Sequence, residues 1–207
     1  KKYNIRISMH PDQFVLINSK NQDIVAKSVK ELEYHTELLD IMGLDHSAKV
    51  QIHIGGIYGD KERSKKQFIN NYKNLLSEDI KKRLVIENDD HLYDLKDCIE
   101  IHEYTNIPIL FDVFHHICFN SNLSVNDALQ RASSTWNHNK DGIMMIDYSN
   151  QESNQRKGKH SNTLDIKQFE KFILSVSNCD FDIILELKDK EKSAQKAIKV
   201  INQINGN

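Results

Sequence analysis

Short apolar runs recur along the chain, and each is followed by a polar stretch and then by a segment with helical periodicity. The six runs cover residues 5–10, 50–54, 84–87, 109–112, 143–147 and 183–186. In the intervening segments apolar residues recur three, four and seven positions apart, as in Val25, Val29 and Leu32. Strands that alternate with helices in this way predict βαβ units and a parallel sheet.

Two folds share this rhythm, an open doubly wound sheet and a closed (β/α)8 barrel. No run is followed by G-x-G-x-x-G or G-x-x-x-x-G-K-[ST], so the nucleotide-binding form of the open sheet loses support. We therefore predict an α/β fold of the (β/α)8 TIM barrel type. A complete barrel typically needs about 250 residues, whereas six units are visible in the 207 residues here.

The composition describes one globular domain over residues 1–207, with 39% hydrophobic and 28% charged positions and a formal net charge of −2. Seven glycines and two prolines are too few for a linker-rich protein, and the apolar runs are too short to span a membrane. The three cysteines are scattered, which argues against a disulfide scaffold and favours a reducing compartment.

An acidic residue or a histidine stands at the end of every apolar run or one residue before it. In order, these residues are His10, His53, Glu87, Asp112, Asp147 and Glu186. Residues of these three types fill about one position in five of this sequence, so six out of six is more than chance supplies. Strand alternation points all of them inward at the carboxyl rim of a barrel, where the active sites of this fold lie.

Imidazoles and carboxylates that converge in this way suit Zn²⁺ or Mn²⁺, and the set is large enough for more than one ion with Glu87 as a bridge. An isolated strand-end His or Asp more often caps the next helix or satisfies loop amides. The whole set together nevertheless indicates a metal site.

Two histidines beyond the strand ends extend this set. His115 follows Asp112 by three residues, where a loop can turn it back over the rim, while we interpret His116 as an ordinary loop residue. His160 lies in a long polar loop after the fifth run, for which a flexible surface loop is the alternative interpretation.

Three further loops carry candidate ligand contacts. Gln13 and Phe14 follow His10 and could hydrogen-bond to and stack on an unstacked base, although taken alone Phe14 is more often a small core aromatic. The glycines of residues 55–59 could let backbone approach a bulky ligand closely. Lys188 and Lys190 could meet a phosphate, with solvated loop lysines as the default interpretation.

Five motifs, in order and spacing, resemble those of the UV DNA damage endonucleases. They are Ser8-Met9-His10-Pro11-Asp12-Gln13-Phe14, Ile52-His53-Ile54-Gly55-Gly56, Glu87-Asn88-Asp89-Asp90, Phe111-Asp112-Val113-Phe114-His115-His116 and Glu186-Leu187-Lys188-Asp189-Lys190-Glu191. The resemblance covers residues 4–191. It implies a TIM-barrel repair nuclease, related in architecture to endonuclease IV, with a rim cluster of divalent metals, often manganese. Such enzymes nick DNA immediately 5′ to pyrimidine dimers, 6-4 photoproducts and some abasic sites, and leave a 3′-hydroxyl.

The resemblance carries over residue by residue. It implies metal ligands at His10, His53, Glu87, Asp112, His115, His160 and Glu186, a pair that probes the distorted duplex at Gln13 and Phe14, and a closing motif that contains Lys188. Two positions depart from the family pattern, because Asp147 stands where a metal-binding His is common and Met145 where some members carry a lysine. Aspartate can still be a ligand, whereas Met145 cannot replace that lysine.

The resemblance also begins at what would be the third strand of a barrel. With an opening of Lys1-Lys2-Tyr3-Asn4 and no Met, we expect the first two βα units to lie before Lys1. The result would be a barrel domain that is incomplete at its N-terminus.

The rim residues and the family resemblance together predict metal-dependent endonuclease action on damaged double-stranded DNA. We assign Glu87 and Lys188 as catalytic residues and expect two or three Mn²⁺ ions, with Zn²⁺ or Mg²⁺ as alternatives. DNA-binding proteins usually show a basic footprint, but here carboxylates that serve as ligands lower the net charge, and residues 61–66 and 156–159 supply basic patches. We expect a monomer without membrane contact, cytoplasmic, or nuclear in a eukaryote or virus.

Two alternatives remain. One is a sugar isomerase or epimerase of the xylose-isomerase-like barrels, which also place His, Glu and Asp at strand ends. The loop from His10 to Phe14 counts against it, as does the lack of a clear substrate-directed lysine or histidine pair beyond the ligands. The other is a non-catalytic relic that binds metal or lesions.

Overall fold

Six parallel strands form one sheet in the computed structural model, which describes residues 5–120, 122–176 and 179–206. The strands are β1 (Ser8–Met9), β2 (Lys49–His53), β3 (Leu84–Glu87), β4 (Ile109–Asp112), β5 (Met144–Tyr148) and β6 (Phe181–Leu185). Each strand pairs with the next one along the chain, so the spatial order is β1 to β6 without a crossing. The predicted parallel sheet and its six βα units are confirmed.

Helices follow each strand. They are α1 (Gln22–Ile41), α2 (Lys61–Leu75), α3 (Glu78–Arg83), α4 (Leu95–Thr105), α5 (Val113–Cys118), α6 (Val125–Ser133), α7 (His138–Asp141), α8 (Ile166–Ser175) and α9 (Glu191–Asn205). Most begin at an Asn, Asp or Ser whose side chain accepts from a backbone N–H of the first turn, as Asp60 does from Arg63. Among the residues described, no helix combines the length and apolarity that a membrane span requires.

The first apolar run departs furthest from its predicted extent, while the others differ by two residues or fewer at either end. Residues 5–10 were expected to form a strand, yet only Ser8 and Met9 pair, opposite Lys49 and Val50. Because β2 begins at Lys49, the residues Ile5, Arg6 and Ile7 have no strand partner within the part of the chain that the structure describes. The opening residues 1–4, from which we expected two missing units, lie outside the described residues, and that expectation stays a prediction.

Two side chains show that the sheet curls as a barrel does. Arg6, just before β1, donates to the backbone oxygens of Asp141 and Ile143 and to Asp182 Oδ2, over distances of 2.6 to 3.0 Å, and so meets the starts of β5 and β6. Gln51 of β2 reaches across the interior to Asp147 of β5. A flat sheet would hold these strands too far apart for either contact.

The core is built from both alternating sets of strand residues. Ile52, Ile86 and Ile146 are buried on one face, and Val85 and Leu110 are buried on the other. Burial on both faces is typical of a parallel sheet that helices cover. Each such side chain contributes about 1.5–3 kcal/mol to the free energy of unfolding. The strands that carry the rim residues are therefore anchored in the hydrophobic core.

Candidate metal centre

The pairing of strands brings the predicted rim residues side by side. His53 of β2 lies opposite Glu87 of β3, and Asp112 of β4 lies opposite Asp147 of β5. His10 is one residue past β1 and Glu186 one residue past β6. All six strand-end residues therefore meet at the carboxyl edge of the sheet, where we expected them.

Glu87 lies at the middle of this cluster and is buried. Its Oε2 lies 3.4 Å from Nε2 of His10 and 3.9 Å from Nε2 of His53. Its Oε1 lies 3.1 Å from Nδ1 of His115. One carboxylate thus faces three imidazoles, which is the arrangement expected of a bridging ligand.

Asp112 divides its two oxygens between two tasks. Oδ1 accepts a 2.7 Å hydrogen bond from the backbone N–H of His115 and so caps helix α5. Oδ2 lies 3.1 Å from Nδ1 of the same histidine. His115 is therefore carried by a six-residue helix that starts directly after β4, and our prediction of a loop that turns back was wrong.

Asp147 and Glu186 complete a third group of donors with Asp112. One oxygen from each lies within 4.8 Å of the others, and Asp147 also accepts from Gln51. His160 stands beside this group, with Nδ1 at 3.4 Å from Glu186 Oε2.

His160 is held in place by the long loop after β5. Its ring packs edge-on against Phe114 and lies 5.5 Å from the ring of His115. Its backbone forms an antiparallel bridge with Gln151, which closes the loop on itself. Gly158 inside that closed loop touches Asp90, where a Cβ would lie 2.3 Å from the carboxylate.

Three groups of ligand atoms result, and neighbouring groups share a carboxylate. They are His10, His53 and Glu87; Glu87, Asp112 and His115; and Asp112, Asp147 and Glu186. Three oxygens of these residues are buried without a hydrogen bond: Glu87 Oε1, Asp112 Oδ2 and Asp147 Oδ1. A buried polar atom without a partner is costly. Divalent cations fit these donors, because a cation would give Asp147 Oδ1 a partner and would add one for Glu87 Oε1 and Asp112 Oδ2, which each lie 3.1 Å from Nδ1 of His115.

The charged groups of the cluster shift one another's pKa values. Burial alone would raise the pKa of Glu87, but His53, His10 and His115 outweigh it and hold that pKa well below its usual range. Burial lowers the pKa of His115, yet Glu87 and Asp112 raise it to about 11.

Asp112 and Asp147 shift the other way. Burial raises the pKa of each well above its usual value, and the neighbouring charges of Glu87 and Glu186 add to the rise. The residues alone therefore hold excess negative charge only at a cost, which a bound cation would offset.

The tip of the first loop points into solvent. Gln13 is exposed and Phe14 is 72% exposed, so the interpretation of Phe14 as a core aromatic is wrong. Val15 and Ile17 take the core positions of this loop instead. Asp12 holds the tip, since Oδ1 accepts from the N–H of Phe14 and its carbonyl accepts from that of Val15.

The first two glycines after β2 allow close packing of loops. A Cβ on Gly55, at φ +112°, would lie 2.3 Å from Oδ1 of Asn18, and one on Gly56 would lie 2.9 Å from the ring of Tyr58. The carbonyl of Gly56 accepts from Asn18 Nδ2 and from the hydroxyl of Tyr93. The space beside Gly55 and Gly56 is thus filled by neighbouring loops, whereas Gly59 has open space at its Cβ position, and close approach of a ligand to this loop stays a prediction.

Two other predictions also need correction. The basic patch at residues 61–66 is partly neutralised, because Lys61 pairs with Asp97, and Lys65 with Asp97 and Glu100, while Arg63 and Lys66 are exposed. His116 belongs to α5 and is buried, with Nε2 at 3.1 Å from a backbone carbonyl, and is no loop residue. Lys188 lies exposed in the loop after β6, as expected.

Sequence reasoning gave no role to two buried amides. Strand alternation puts Gln51 on the same face of β2 as His53, but it does not predict the contacts of the side chain. In the structure its Nε2 donates to both Glu87 and Asp147. Asn88 exchanges two hydrogen bonds with the backbone of Asp112, of 2.9 and 3.0 Å, and so joins the ends of β3 and β4. The signals for Asn88 were its position after Glu87 and its place in the motif Glu87-Asn88-Asp89-Asp90.

Comparison with known proteins places this geometry in a family. The model of the family UV-endonuclease UvdE matches residues 1–206. A UV DNA damage endonuclease of Clostridium perfringens (strain 13 / Type A) is 41% identical over 206 residues, which are 99% of this chain and 50% of that protein. The crystal structure of SacUVDE superposes with a TM-score of 0.92 and 46% identity, over 99% of this chain and 68% of that one.

More distant structures share the fold alone. Endonuclease IV from Thermus thermophilus matches with a TM-score of 0.62 and 17% identity, over 98% of this chain and 77% of that one. D-allulose 3-epimerase from Methylomonas sp. matches with a TM-score of 0.60 and 15% identity, over 98% and 78%. These matches confirm a TIM-barrel-like fold and do not separate nuclease from epimerase.

The chain spans about half the length of the Clostridium perfringens relative. Within that span, the family model covers nearly every residue, including all the rim residues described above. The chain therefore belongs to the UV-endonuclease UvdE family.

Proposed function

We propose that this chain forms the metal-binding part of a DNA repair endonuclease that hydrolyses the phosphodiester 5′ to UV photoproducts and some abasic sites, leaving a 3′-hydroxyl. The observation that carries the proposal is the set of three donor groups that share Glu87 and Asp112 and contain three buried carboxylate oxygens. The exposed tip at Gln13 and Phe14 stands on the loop that begins at His10, next to those groups.

The proposed metal ligands are the residues predicted from the sequence. They are His10, His53, Glu87, Asp112, His115, Asp147, His160 and Glu186. Two or three divalent ions, Mn²⁺ first and Zn²⁺ or Mg²⁺ as alternatives, suit the mixed nitrogen and oxygen donors of the first two groups. When bound, such ions lower the pKa of a water, position the scissile phosphate and neutralise charge on the leaving oxygen.

The side chains around the cluster would bind and orient the substrate, damaged double-stranded DNA. Phe14 presents an exposed ring that can stack on a base, and Gln13 presents an amide that can hydrogen-bond to one. Lys188 is exposed two residues after Glu186, where its ammonium can meet a phosphate. Met145 is buried and offers no ammonium, so the lysine that some members carry there has no counterpart at this position.

The net charge of −2 agrees with this role. Many of the acidic residues at the rim would be ligands whose charge bound cations offset. Arg156 and Lys157 are exposed on the loop that carries His160, which leaves a basic patch next to the cluster. We propose a monomer that acts in the cytoplasm.

The test is lesion-dependent nicking. Purified protein is incubated with Mn²⁺ and an end-labelled duplex, either UV-irradiated or unirradiated, with EDTA as control. We expect cleavage of the irradiated duplex alone, at the 5′ side of the lesion, with ends that a polymerase extends because they carry a 3′-hydroxyl. Binding of irradiated DNA without cleavage would favour the lesion-binding relic, and aldose–ketose conversion the sugar isomerase, so either result would overturn the proposal.

A further inference from the structure

Gln51 connects two candidate ligands across the interior of the curled sheet. It lies on β2, two residues before His53 and on the same face of the strand. Its Nε2 donates a 2.7 Å hydrogen bond to Oε2 of Glu87 on β3 and a second, shorter one to Oδ2 of Asp147 on β5. Since β3 is next to β2 but β5 is three strands away, only a side chain inside the barrel can make both contacts.

The chemistry of an amide suits this position. A side-chain NH₂ has two hydrogens, and both partners are carboxylates, which accept hydrogen bonds when ionised. Gln51 is 2% exposed, so water does not compete for these bonds. An ammonium here would bring a charge of its own and compete with a cation for the carboxylates, whereas a neutral amide donates without adding charge.

These two hydrogen bonds also determine which carboxylate oxygen of Glu87 and of Asp147 is not bound by Gln51. Gln51 takes Oε2 of Glu87 and Oδ2 of Asp147, while the buried oxygens without a hydrogen bond are Oε1 of Glu87 and Oδ1 of Asp147. Holding one oxygen of each carboxylate fixes the rotation of the whole group. The second oxygen of each then has a set direction.

We propose that Gln51 is a positioning residue that aims the carboxylates of Glu87 and Asp147 at the metals. Glu87 belongs to the first two donor groups and Asp147 to the third, so one amide aligns all three groups. It acts through the ligands, because its amide nitrogen is a hydrogen-bond donor to both carboxylates. The inference rests on the proposed metal site.

The main variant is Gln51→Met, which keeps the length and flexibility of the side chain and removes both donors. The matched control is Asn71→Leu, which also removes a buried amide, one that donates to the carbonyl of Ile17 and to no candidate ligand. Both are measured as full chains for Mn²⁺ affinity by titration calorimetry, for metal content after dialysis, and for the midpoint of thermal unfolding.

Loss of a group that orients metal ligands typically costs about 10–100-fold in affinity. We expect Gln51→Met to raise the apparent Kd for Mn²⁺ by about that factor and to retain fewer ions, while Asn71→Leu lowers only the unfolding midpoint. If Gln51→Met fails to fold, Gln51→Asn keeps an amide in the core, but one methylene shorter and unable to reach both carboxylates. It should show the same loss.

The outcomes separate this inference from the proposal on which it rests. A wild-type protein that takes up no Mn²⁺ would refute the metal site itself, and the role of Gln51 with it. A wild-type protein that binds Mn²⁺, beside a folded Gln51 variant that binds it equally well, would refute the role of Gln51 alone.

Discussion

Glu87 and His115 approach to 3.1 Å, between Oε1 and Nδ1, although one ends β3 and the other lies within helix α5. The same Oε1 is buried, and although burial lowers the pKa of His115, this contact and Asp112 raise it to about 11. A cation could bind this carboxylate on the side that does not face the imidazole. We therefore expect loss of Glu87 to weaken metal binding more than loss of any other proposed ligand.

Glu87→Gln should therefore remove metal binding while leaving the fold intact. The change keeps the size of the side chain but takes away the charge that faces three imidazoles. We expect at least one fewer bound ion per chain and nicking reduced by about 100-fold or more. Metal content by mass spectrometry and cleavage of irradiated duplex measure this, with exposed Glu103→Gln as control. Undiminished cutting would refute the assignment of Glu87.

Phe14→Ala should weaken lesion binding and leave metal binding alone. Stacking of a base on an aromatic ring is worth about 1–3 kcal/mol, so affinity for irradiated duplex should fall by about 5–150-fold. Because Phe14 is exposed, stability should change by less than about 0.5 kcal/mol. Fluorescence anisotropy with irradiated and unirradiated duplex is the measurement. The control is Tyr104→Ala, which removes an exposed aromatic side chain from the last turn of α4. An equal loss of affinity for irradiated duplex in both variants would argue against a role of Phe14 in lesion binding.

Asp141→Asn should destabilise the protein in a way that depends on pH. Lys49 is fully buried with its ammonium 2.6 Å from Asp141 Oδ1, and burial lowers the pKa of Lys49 although Asp141 acts against that fall. Removal of one partner of a buried ion pair costs about 3–5 kcal/mol. We expect a loss of this size in the free energy of unfolding at pH 7.

The dependence on pH follows from linkage. When the pKa of a lysine is lower in the folded chain than in the unfolded one, the unfolded chain binds more protons between the two values, and stability there rises with pH. Without Asp141 the pKa of Lys49 falls further and this range widens. Urea unfolding should therefore show a smaller deficit at about pH 9.5 than at pH 7. An equal deficit at both pH values would contradict the role of Lys49, and exposed Asp79→Asn serves as control.

Gly158→Ala should disturb the loop that carries His160. The added Cβ would lie 2.3 Å from Oδ2 of Asp90, at a backbone φ of +81°. Gly59→Ala is a matched control, because Gly59 also has a positive φ, of +87°, but has open space around its Cβ position. Both variants should lose the roughly 1 kcal/mol typical of such backbone strain. Only Gly158→Ala should also retain less Mn²⁺ after dialysis, and equal retention would show that the loop does not position His160.

The strand ends were the part of the site that sequence could reveal. Alternation along β2 and β3 places His53 and Glu87 on one face, and parallel pairing brings them together with no further information. His115 was predicted at the rim for a wrong reason, because the short helix capped by Asp112 has too few residues to show a helical period.

The parts that sequence could not reveal depend on the reach of single side chains. The period of a strand says that Gln51 faces inward, but not that the sheet curls enough to bring Asp147 within its reach. Likewise, Phe14 and Val15 are adjacent apolar residues in a loop, and only the path of the backbone decides which one is buried. Lys49, a charged residue at the start of a strand, gave no sign that Asp141 would meet it in the core.

Because Asp112 both caps α5 and faces the donor cluster, the number of residues between Asp112 and His115 is fixed. One oxygen sets where α5 begins and the other faces the donor cluster, so the start of the helix and the direction of His115 are fixed by the same group. Each residue advances about 100° around a helix. A single insertion or deletion here would swing the imidazole away from the cluster and out of line with its capping carboxylate. The length of α5 upstream of His115 therefore cannot change without displacing that side chain.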